Sequence, residues 1–509
     1  MIPSFFGYDT IYPKHSERFY FNKKRVGFMR KTKIVCTVGP ATDNDDILRE
    51  MMLSGMNVAR FNFSHGDYAV HEKRYNQLCR IRDELKLPIA ALLDTKGPEI
   101  RLGKFADSTP VTLKDGDSFV LTTEERICDK EIACISFKGL PGDVRKGTVI
   151  LINDGAVELR VESVKGGEIY TTVVHGGEIS DNKGINVPGV ELSMPYLSER
   201  DMNDLEFGAK IGFDFIAASF VRCAADVAYL KKFTKSLGWA SPRIIAKIEN
   251  SDGVNNIDEI LEVADGIMVA RGDMGVEIPF ELIPSIQKSL IRKGYNAGKQ
   301  VITATQMLES MITHVRPTRA EITDVANAIY DGTSAIMLSG ETAAGKHPVE
   351  AVRTMALIAE TTENDINYAN RLKSRPDDKD KNITNAISHA ACTTAHDLGA
   401  KAIVTVTKTG GTAKMLSKFR PSCPIIGCTP NPTVCRQMNL SWGVTPLMMD
   451  EKSSTDELLD GAIDAAVEHG LLKEGDVTVI TAGIPLGVSG NTNMLKVTTV
   501  GNKSETHIK

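Results

Sequence analysis

From residue 32 the chain alternates short runs rich in β-branched residues with longer stretches of helical period. This alternation is typical of βα units, in which helices cover a parallel sheet. The pattern yields about eight strands, the number that closes a (β/α) barrel. We therefore predict an α/β fold with a (β/α)8 TIM barrel rather than an open doubly wound sheet. The predicted barrel strands are 33–38, 56–61, 89–94, 212–218, 244–248, 266–270, 301–305 and 335–339, and the clearest predicted helices are 68–86, 280–298 and 318–330.

Residues 99–187 interrupt this alternation after the third predicted strand. Their short alternating segments are separated by turn-forming pairs such as Asp115-Gly116 and Gly166-Gly167, which is typical of hairpins in an all-β domain. A domain inserted after a barrel strand overhangs the C-terminal face, where barrel enzymes have their active sites. We therefore predict that 99–187 is a small inserted β-barrel domain that serves as a lid.

The rest of the chain gives the other predicted domains. At 509 residues it exceeds the size at which single cores stop growing, about 250 to 300 residues. The barrel is predicted to comprise 31–98 and 188–367, and 368–509 to form an open α/β domain, whose strands are too few for a second barrel. Residues 1–30 are interpreted as an N-terminal extension, either disordered or the product of a start codon placed too early. The predicted C-terminal strands are 402–407, 424–428, 444–448, 477–481 and 495–500.

Composition excludes several classes of partner. Hydrophobic residues make up 42% and charged residues 25% of the chain, the balance of an ordinary globular protein. The formal net charge is −5 and the basic residues are dispersed, so we expect neither a nucleic acid nor a membrane as a partner. The nine cysteines lack CxxC spacing and fall mostly in apolar runs, which indicates reduced thiols and a cytoplasmic protein.

Polar side chains follow the second and third predicted strands. Arg60, Asn62 and Ser64 alternate with phenylalanines, so the period of a strand places them on one face. Asp94 and Thr95 come where the next apolar strand ends. Neutral oxygens with a single carboxylate suit a monovalent cation, and a guanidinium suits a phosphoryl group. The alternative for each segment is a hydrogen-bonded cluster that only terminates the strand.

A second charged group follows the fifth and sixth predicted strands. Lys247 and Glu249 lie two residues apart at the end of an isoleucine-rich strand, and Asp273 follows the next strand. Buried charges are costly unless they are paired or bind a metal, and two carboxylates from adjacent strands suit Mg²⁺. Gly272 would allow backbone N–H groups to approach an anion such as a substrate carboxylate. The alternative is a structural Lys–Glu pair beside an unrelated turn.

One hydroxyl and three longer motifs complete the pattern. Thr305 ends the seventh strand, and taken alone it is better explained as the cap of the next helix. Together with the charged groups and with the motifs Arg316–Glu321, Asp324–Asn327 and Met337–Thr342, however, it makes the chain resemble the pyruvate kinase family. The resemblance extends from about Lys31 to the C-terminus and includes the inserted domain.

The resemblance implies phosphoryl transfer from phosphoenolpyruvate to ADP, giving pyruvate and ATP, with Mg²⁺ (or Mn²⁺) and K⁺ as cofactors. Arg60 would contact the transferring phosphoryl group, and Lys247 would neutralise charge on the phosphoryl and enolate oxygens. Thr305 would help a water-linked group to protonate the enolate. The implied substrate-binding residues are Arg60, Lys247, Gly272, Asp273 and Thr305, the implied magnesium ligands are Glu249 and Asp273, and the implied potassium ligands are Asn62, Ser64, Asp94 and Thr95.

The family pattern implies further features. Glu99, after the Lys-Gly-Pro run, resembles the residue found in potassium-dependent members. A second Mg²⁺ would arrive with the ADP, and the assembly would be a homotetramer. The implied nucleotide contacts are Thr37, Pro40, Asn62, His65, Arg101 and Lys183.

A hydroxyl-rich and glycine-rich turn in the C-terminal domain joins a predicted strand to a helix, an arrangement that binds phosphate readily. Family members use this turn for a phosphorylated effector, so the resemblance implies allosteric activation. The late loop 484–491 contains no Arg or Lys, which argues against a specific prediction of a sugar bisphosphate. The alternative is an ordinary βα turn. The candidate effector residues are Thr407, Lys408, Thr409, Gly410, Gly411 and Thr412.

Two other functions compete with this interpretation. A metal-dependent aldolase or lyase built on a barrel would share paired carboxylates and an arginine, but it would not require the inserted domain or a cation site at Asp94-Thr95-Lys96. A regulatory protein that binds phosphates without turnover would not need Lys247, Glu249 and Asp273 together.

Overall fold

Eight parallel strands form a closed barrel, so the predicted fold class is confirmed. The computed structural model describes residues 30–239, 241–373, 381–485 and 490–501. The predicted N-terminal extension, Arg30 excepted, lies outside the described residues. The barrel strands are Lys33–Thr37, Val58–Asn62, Ala90–Asp94, Phe215–Ala218, Arg243–Ile248, Gly266–Ala270, Gln300–Ala304 and Ala335–Leu338.

The barrel closes where its first strand pairs with its last, for example Ile34 with Ile336. Almost every residue of these strands is buried, because helices cover the outside and side chains fill the inside. The predicted strand 212–218 is shorter than expected and begins at Phe215. The reason is local: Gly212, with φ of 91°, caps the preceding helix in the left-handed conformation.

Helices connect successive barrel strands. The predicted helix 280–298 begins instead as a 3-10 turn, and the α-helix starts at Ile283 with Pro284 in its first turn, where a missing N–H costs nothing. Thr318 caps the helix that was predicted at 318–330 and forms a capping box with Glu321. The barrel helices are Asp45–Ser54, Tyr68–Leu85, Glu199–Ile211, Ala224–Ser236, Ser251–Asn255, Ile257–Val263, Arg271–Glu277, Ile283–Asn296, Arg319–Asp331, Gly340–Ala343 and Pro348–Asp365, with 3-10 turns Pro40–Thr42, Phe280–Leu282 and Glu309–Ile312.

The inserted segment 99–187, predicted to serve as a lid and called the lid below, is built around a seven-stranded sheet with its own apolar core. The two edge strands of this sheet meet through a bridge between Leu102 and Ile135, which closes the sheet on itself. The helix Leu140–Asp143 and the 3-10 turn Ala106–Ser108 complete the lid. Its strands are Ile100–Arg101, Ser118–Thr122, Ile132–Cys134, Val149–Ile152, Val157–Lys165, Glu168–His175 and Gly184–Asn186, with a separate pair Val111–Leu113 and Gly177–Ile179.

The C-terminal region forms a five-stranded open sheet, four strands parallel and the edge strand Met494–Thr499 antiparallel. The domain boundaries stay a prediction. No helix in the described ranges is both long enough and apolar enough to cross a bilayer. The other four strands are Ala402–Val406, Ile425–Thr429, Val444–Met448 and Val477–Ala482, and the helices are Tyr368–Lys373, Ile383–Asp397, Gly411–Lys418, Pro432–Met438 and Thr455–Glu468.

This open sheet docks against the N-terminal end of the barrel through buried polar contacts. Arg436 Nε lies 2.8 Å and 3.1 Å from the two carboxylate oxygens of Asp214, whose side chain is fully buried. Asn439 Nδ2 donates to the backbone oxygens of Asn57 and Pro88 at 3.0 and 2.9 Å. The C-terminal face of the barrel is thereby left to the lid.

The Asp214–Arg436 pair gives a stability prediction. Burial raises the pKa of Asp214 and Arg436 opposes this effect, so Arg436→Met leaves a buried carboxylate without its partner. We expect the free energy of unfolding in urea to fall by about 3 kcal/mol or more. The control is Arg353→Met, which removes a half-exposed pair with Glu50 and should cost less than about 1 kcal/mol. Equal losses in the two variants would contradict the assignment.

Candidate active site

Four charged side chains form a row of alternating sign at the C-terminal ends of the barrel strands. Arg60 Nε lies 2.5 Å from Asp94 Oδ2. Lys247 Nζ lies 3.0 Å from Asp94 Oδ1 and 2.9 Å from Glu249 Oε1. The predicted face of Arg60 and the predicted pair Lys247–Glu249 therefore belong to one cluster. We call these four residues together with Asp273 the rim cluster.

The charges of the rim cluster control one another's protonation. Burial opposes ionisation of Asp94, but Arg60 and Lys247 hold the pKa of that carboxyl below its usual value. Burial acts to lower the pKa of Lys247, yet Asp94, Glu249 and Asp273 together raise it above the usual lysine value. Asp94 therefore stays an anion and Lys247 stays an ammonium ion at neutral pH.

Glu249 differs from its neighbours because its negative charge is incompletely compensated. Burial raises the pKa of Glu249 to about 8, with Lys247 opposing and Asp273 reinforcing the shift. Phe220 N donates to Oε2 at 2.6 Å, whereas Oε1 faces Lys247 without an aligned hydrogen bond. Such an oxygen is suited to accept a further cation.

Asp273 reaches the same place from the next strand, in the first turn of the helix Arg271–Glu277. Within the described ranges no group of three or more His, Cys, Asp or Glu could hold a metal alone. Two carboxylates fit Mg²⁺ or Mn²⁺, which keep several water or substrate oxygens in their coordination shell. The donor set at Glu249 and Asp273 therefore fits a divalent ion shared with a ligand.

The predicted potassium residues lie beside the rim cluster. Asn62 and Asp94 are paired across adjacent strands and end them together. Asn62 Oδ1 accepts a hydrogen bond from Ser64 N at 3.1 Å, and Thr95 Oγ1 accepts one from Ser219 N at 3.1 Å. Both oxygens of Asp94 are already engaged by Arg60 and Lys247. A potassium ion here would have to share that carboxylate, and the ligand set stays a prediction.

Thr305 and Gly272 are held together by a hydrogen bond. Gly272 N donates to Thr305 Oγ1 at 2.8 Å, and Thr305 has a φ of 66°, an unfavourable value for a β-branched residue. Arg271 supports this backbone by donating to the Ala304 oxygen at 3.1 Å and by a two-point ion pair with Asp324. Thr305 does not cap the 3-10 turn Glu309–Ile312 that follows it, whose N-cap is Leu308, so the interpretation that it caps the next helix is wrong.

The predicted nucleotide residues are distributed along the same rim. Arg101 and Lys183, from the lid, line a cleft of about 310 Å³ that also contains Asp273 and Glu277. Thr37 is buried at the end of the first barrel strand, and its Oγ1 accepts a hydrogen bond from Arg60 at 3.0 Å. Pro40 and His65 are exposed and follow the first and second barrel strands. No contact joins these two to the cleft in the described residues, so their role stays a prediction.

Sequence reasoning overlooked several residues of the site. Ser219 Oγ accepts a hydrogen bond from Lys247 at 2.6 Å and donates to the Thr95 oxygen at 2.7 Å. It follows an apolar strand just as Thr95 does, and that signal could have identified it. Phe220, with a φ of 52°, presents its N–H to Glu249, and no sequence pattern indicates this.

Comparisons with known proteins agree with this geometry. Residues 29–352 match the family model "Pyruvate kinase, barrel domain", and residues 385–498 match "Pyruvate kinase, alpha/beta domain". A pyruvate kinase of Clostridium acetobutylicum is 49% identical over 93% of this chain and 100% of its own length, and one of Geobacillus stearothermophilus is 50% identical over 92% and 80%. The crystal structure of a pyruvate kinase from Cryptosporidium parvum matches with a TM-score of 0.87 at 39% identity, covering 92% of this chain and 96% of that one. The chain is therefore an enzyme of the phosphotransferase class and belongs to the pyruvate kinase family.

Proposed function

We propose that this protein transfers the phosphoryl group of phosphoenolpyruvate to ADP, giving pyruvate and ATP. The observation on which the proposal rests is the rim cluster, which places two cationic side chains between carboxylates beneath the lid. Phosphoryl transfer requires positioning and charge neutralisation rather than a covalent intermediate. The relatives named pyruvate kinase support the same reaction.

The two cations of the rim cluster act on the phosphoryl group and the enolate. Lys247 remains protonated because neighbouring carboxylates raise its pKa, so it stabilises negative charge and is unsuited to donate a proton. Arg60 offers a planar set of donors, one of which is fixed by Asp94. Ser219 holds the ammonium group at 2.6 Å. These cations are therefore preorganised before the substrate arrives.

The carboxylates would hold the ions. Glu249 and Asp273 would bind Mg²⁺ or Mn²⁺, and Asn62, Ser64, Asp94 and Thr95 would provide oxygens for K⁺. A bound divalent ion would supply Lewis-acid stabilisation of the substrate's oxygens.

Thr305 would order the water-linked group that protonates the enolate. Its hydroxyl already accepts from Gly272 N and donates to the Ala304 oxygen at 2.7 Å. A Cβ at Gly272 would lie no closer than 3.6 Å to Thr305, so packing within the protein does not require glycine there. The absence of a side chain instead favours approach of a substrate carboxylate to the backbone.

The lid would exclude water that competes with ADP for the phosphoryl group. Asn186 of the lid donates to Glu277 of the barrel at 3.3 Å. Where the chain passes from the barrel into the lid, Glu99 lies 2.6 Å from Arg101 and 3.4 Å from Lys96. Glu99 thereby joins the predicted nucleotide residue Arg101 to Lys96 of the barrel.

The test is an assay with purified protein, phosphoenolpyruvate, ADP and Mg²⁺, with and without K⁺. We expect pyruvate and ATP in equal amounts, formed faster with K⁺. A lyase or aldolase would consume phosphoenolpyruvate without ADP, and a regulatory protein would bind it without turnover. Either of those results would refute the proposal.

We further propose allosteric activation by a phosphorylated metabolite. The candidate turn follows the strand Ala402–Val406, and Gly410, with a φ of 78°, precedes the helix Gly411–Lys418. Five of the six candidate residues, all but Gly410, line a cavity of about 810 Å³. Thr407 Oγ1 accepts from Gly410 N at 3.0 Å, and Lys408 is paired with the exposed Glu451. A cavity of this size with hydroxyl donors suits a sugar phosphate or nucleotide.

A direct contact supports communication between this turn and the rim cluster. Arg243 donates to the Thr409 oxygen at 2.9 Å and lies 3.2 Å from Asp265. Arg243 begins the barrel strand that ends at Ile248, directly before Glu249, so one strand joins the candidate effector turn to Lys247. A shift of the turn on binding would therefore act on a strand that contains a catalytic lysine.

The prediction for this site concerns charge. Thr409→Glu should abolish activation by AMP, ribose 5-phosphate, glucose 6-phosphate or fructose 1,6-bisphosphate, whichever activates the parent protein, because a carboxylate repels phosphate. Basal activity should remain. Thr393→Glu is the control and should keep activation, because Thr393 lies in the C-terminal half of the helix Ile383–Asp397 and is not among the residues that line the cavity. Activation retained in Thr409→Glu would place the effector elsewhere.

We also propose a cytoplasmic homotetramer. No disulfide joins any of the nine cysteines in the described part of the chain, which supports a reducing compartment. Phe280 is 82% exposed and Leu282 is 46% exposed at the start of one barrel helix, an arrangement that favours a contact between subunits. Light scattering after size-exclusion chromatography would measure the mass of the assembly.

A further inference from the structure

Two cysteines of the lid are in contact. Cys134 ends the edge strand Ile132–Cys134 of the lid sheet, and Cys128 precedes that strand by a short turn. Their sulfur atoms are 3.7 Å apart, and Cys134 N donates to Cys128 Sγ at 3.3 Å. A disulfide requires the sulfurs to approach to about 2.05 Å. The remaining distance is small enough for side-chain rotation and a slight backbone shift to close it.

The pair lies where the lid sheet closes on itself, a line of contacts that we call the seam. Gly103 N donates to the Cys134 oxygen at 2.8 Å, and Cys128 N donates to the Lys104 oxygen at 2.8 Å. A Cβ at Gly103 would lie 2.2 Å from Cys134 Sγ and 3.2 Å from Cys128 Sγ. Both sulfurs therefore pack directly against the backbone of residue 103, and only glycine leaves room for them.

The two thiols differ in accessibility. Cys128 is 1% exposed, whereas Cys134 is half-buried and its thiol donates to the Arg126 oxygen at 3.3 Å. Burial raises the pKa of Cys128 to about 11, so this thiol stays protonated and unreactive towards oxidants in solution. Cys134 is therefore the sulfur that an oxidant meets first, with Cys128 behind it as the second thiol.

We propose that Cys128 and Cys134 form a redox modification site, in which a peroxide converts the two thiols into a disulfide and thereby weakens binding of the nucleotide. The Cys134 thiolate attacks a peroxide oxygen, which forms an S–O bond, breaks the O–O bond and releases water after protonation. Cys128 then attacks the Cys134 sulfur, which forms the S–S bond and releases the hydroxyl group with the Cys128 proton as a second water. Each peroxide thus accepts two electrons from the pair.

The seam connects this pair to the nucleotide side of the cleft. Ser136 N donates to the Arg101 oxygen at 2.9 Å, and Leu102 N donates to the Lys183 oxygen at 2.9 Å. Drawing Cys134 towards Cys128 displaces the strand that holds Arg101 and, through it, Lys183. This consequence rests on the proposed nucleotide site, whereas formation of the disulfide does not.

Mass spectrometry tests the disulfide directly. Trypsin cleaves after Arg126, Lys130 and Lys138, so the two cysteines fall in separate peptides, 127–130 and 131–138. After treatment of the whole protein with hydrogen peroxide and alkylation of remaining thiols in denaturant, we expect these peptides joined and released by a reductant. In Cys128→Ser, which lacks the second thiol, the sulfenic acid formed on Cys134 should instead persist and be labelled by a sulfenic-acid probe. Separate, alkylated peptides 127–130 and 131–138 in a sample whose other cysteines are oxidised would overturn the proposal.

Enzyme kinetics test whether the disulfide weakens binding of the nucleotide. In the peroxide-treated parent protein we expect KM for ADP to rise by roughly threefold or more, reversibly with a reductant, while KM for phosphoenolpyruvate changes less. Cys134→Ser should retain the reduced-state KM under peroxide. The matched control Cys223→Ser, which removes another half-buried cysteine outside the lid, should remain sensitive. If the disulfide-linked peptides form but KM for ADP is unchanged, the regulatory role is overturned. If the reduced protein shows no turnover with ADP at all, the proposed function is refuted instead.

Discussion

Lys247→Met is expected to lower kcat by about 10²-fold to 10³-fold, equivalent to about 3 to 4 kcal/mol of transition-state stabilisation. Lys247 Nζ lies within 3.0 Å of carboxylate oxygens of both Asp94 and Glu249, and these hold it protonated at the strand end. Its charge matters most when negative charge develops on the enolate oxygen, so KM for phosphoenolpyruvate should change far less than kcat.

The control for Lys247→Met is a second buried lysine of the barrel. Lys33 begins the first barrel strand, at the opposite end from the rim, and donates to the Val444 oxygen at 2.6 Å. Lys33→Met should reduce stability while leaving kcat within about a factor of three, since it touches no part of the site. Thermal unfolding of both variants separates stability from catalysis. A near-normal kcat in a folded Lys247→Met protein would show that the lysine is misassigned.

The barrel could be predicted because its signal is local. Most of the strands are largely apolar runs followed by a polar residue, and this local pattern placed all eight strands within three residues of their positions. The errors arose where a cap or a proline decides the boundary, as at Gly212 and Pro284. Those boundaries depend on one backbone conformation rather than on a repeated pattern.

The contacts between residues of the site were less predictable than the positions of those residues along the strands. The sequence indicated that Asp94 ends a strand, but its ion pairs with Arg60 and Lys247 depend on which strands are neighbours across the barrel. Similarly, Cys128 and Cys134 were each predicted only to be reduced thiols, and their contact results from closure of the lid sheet. Such contacts join residues through tertiary structure, and no local period encodes them.

Glu249→Gln is expected to raise the concentration of Mg²⁺ or Mn²⁺ needed for half-maximal activity by at least about 10-fold to 100-fold, the scale of losses at metal sites. The change removes a carboxyl group that would bind the divalent ion as an anion, while it keeps the shape of the side chain. The amide oxygen can still accept the hydrogen bond from Phe220 N, and Lys247 keeps Asp94 as its partner. The loss should therefore fall on the ion rather than on folding, and titration of Mn²⁺ by electron paramagnetic resonance would measure it without turnover.

Glu277→Gln is the matched control for the assignment of Glu249. Glu277 lines the cleft together with Asp273, which is on the same helix, and burial raises its pKa as it does that of Glu249. It contacts Asn186 of the lid instead of a strand-end lysine. If buried negative charge in the cleft were sufficient to attract the ion, both variants would lose affinity for Mn²⁺ equally. If the ion instead requires a carboxylate directly beside Lys247, only Glu249→Gln loses affinity for Mn²⁺. Equal losses in the two variants would mean that the rim cluster does not define the metal site.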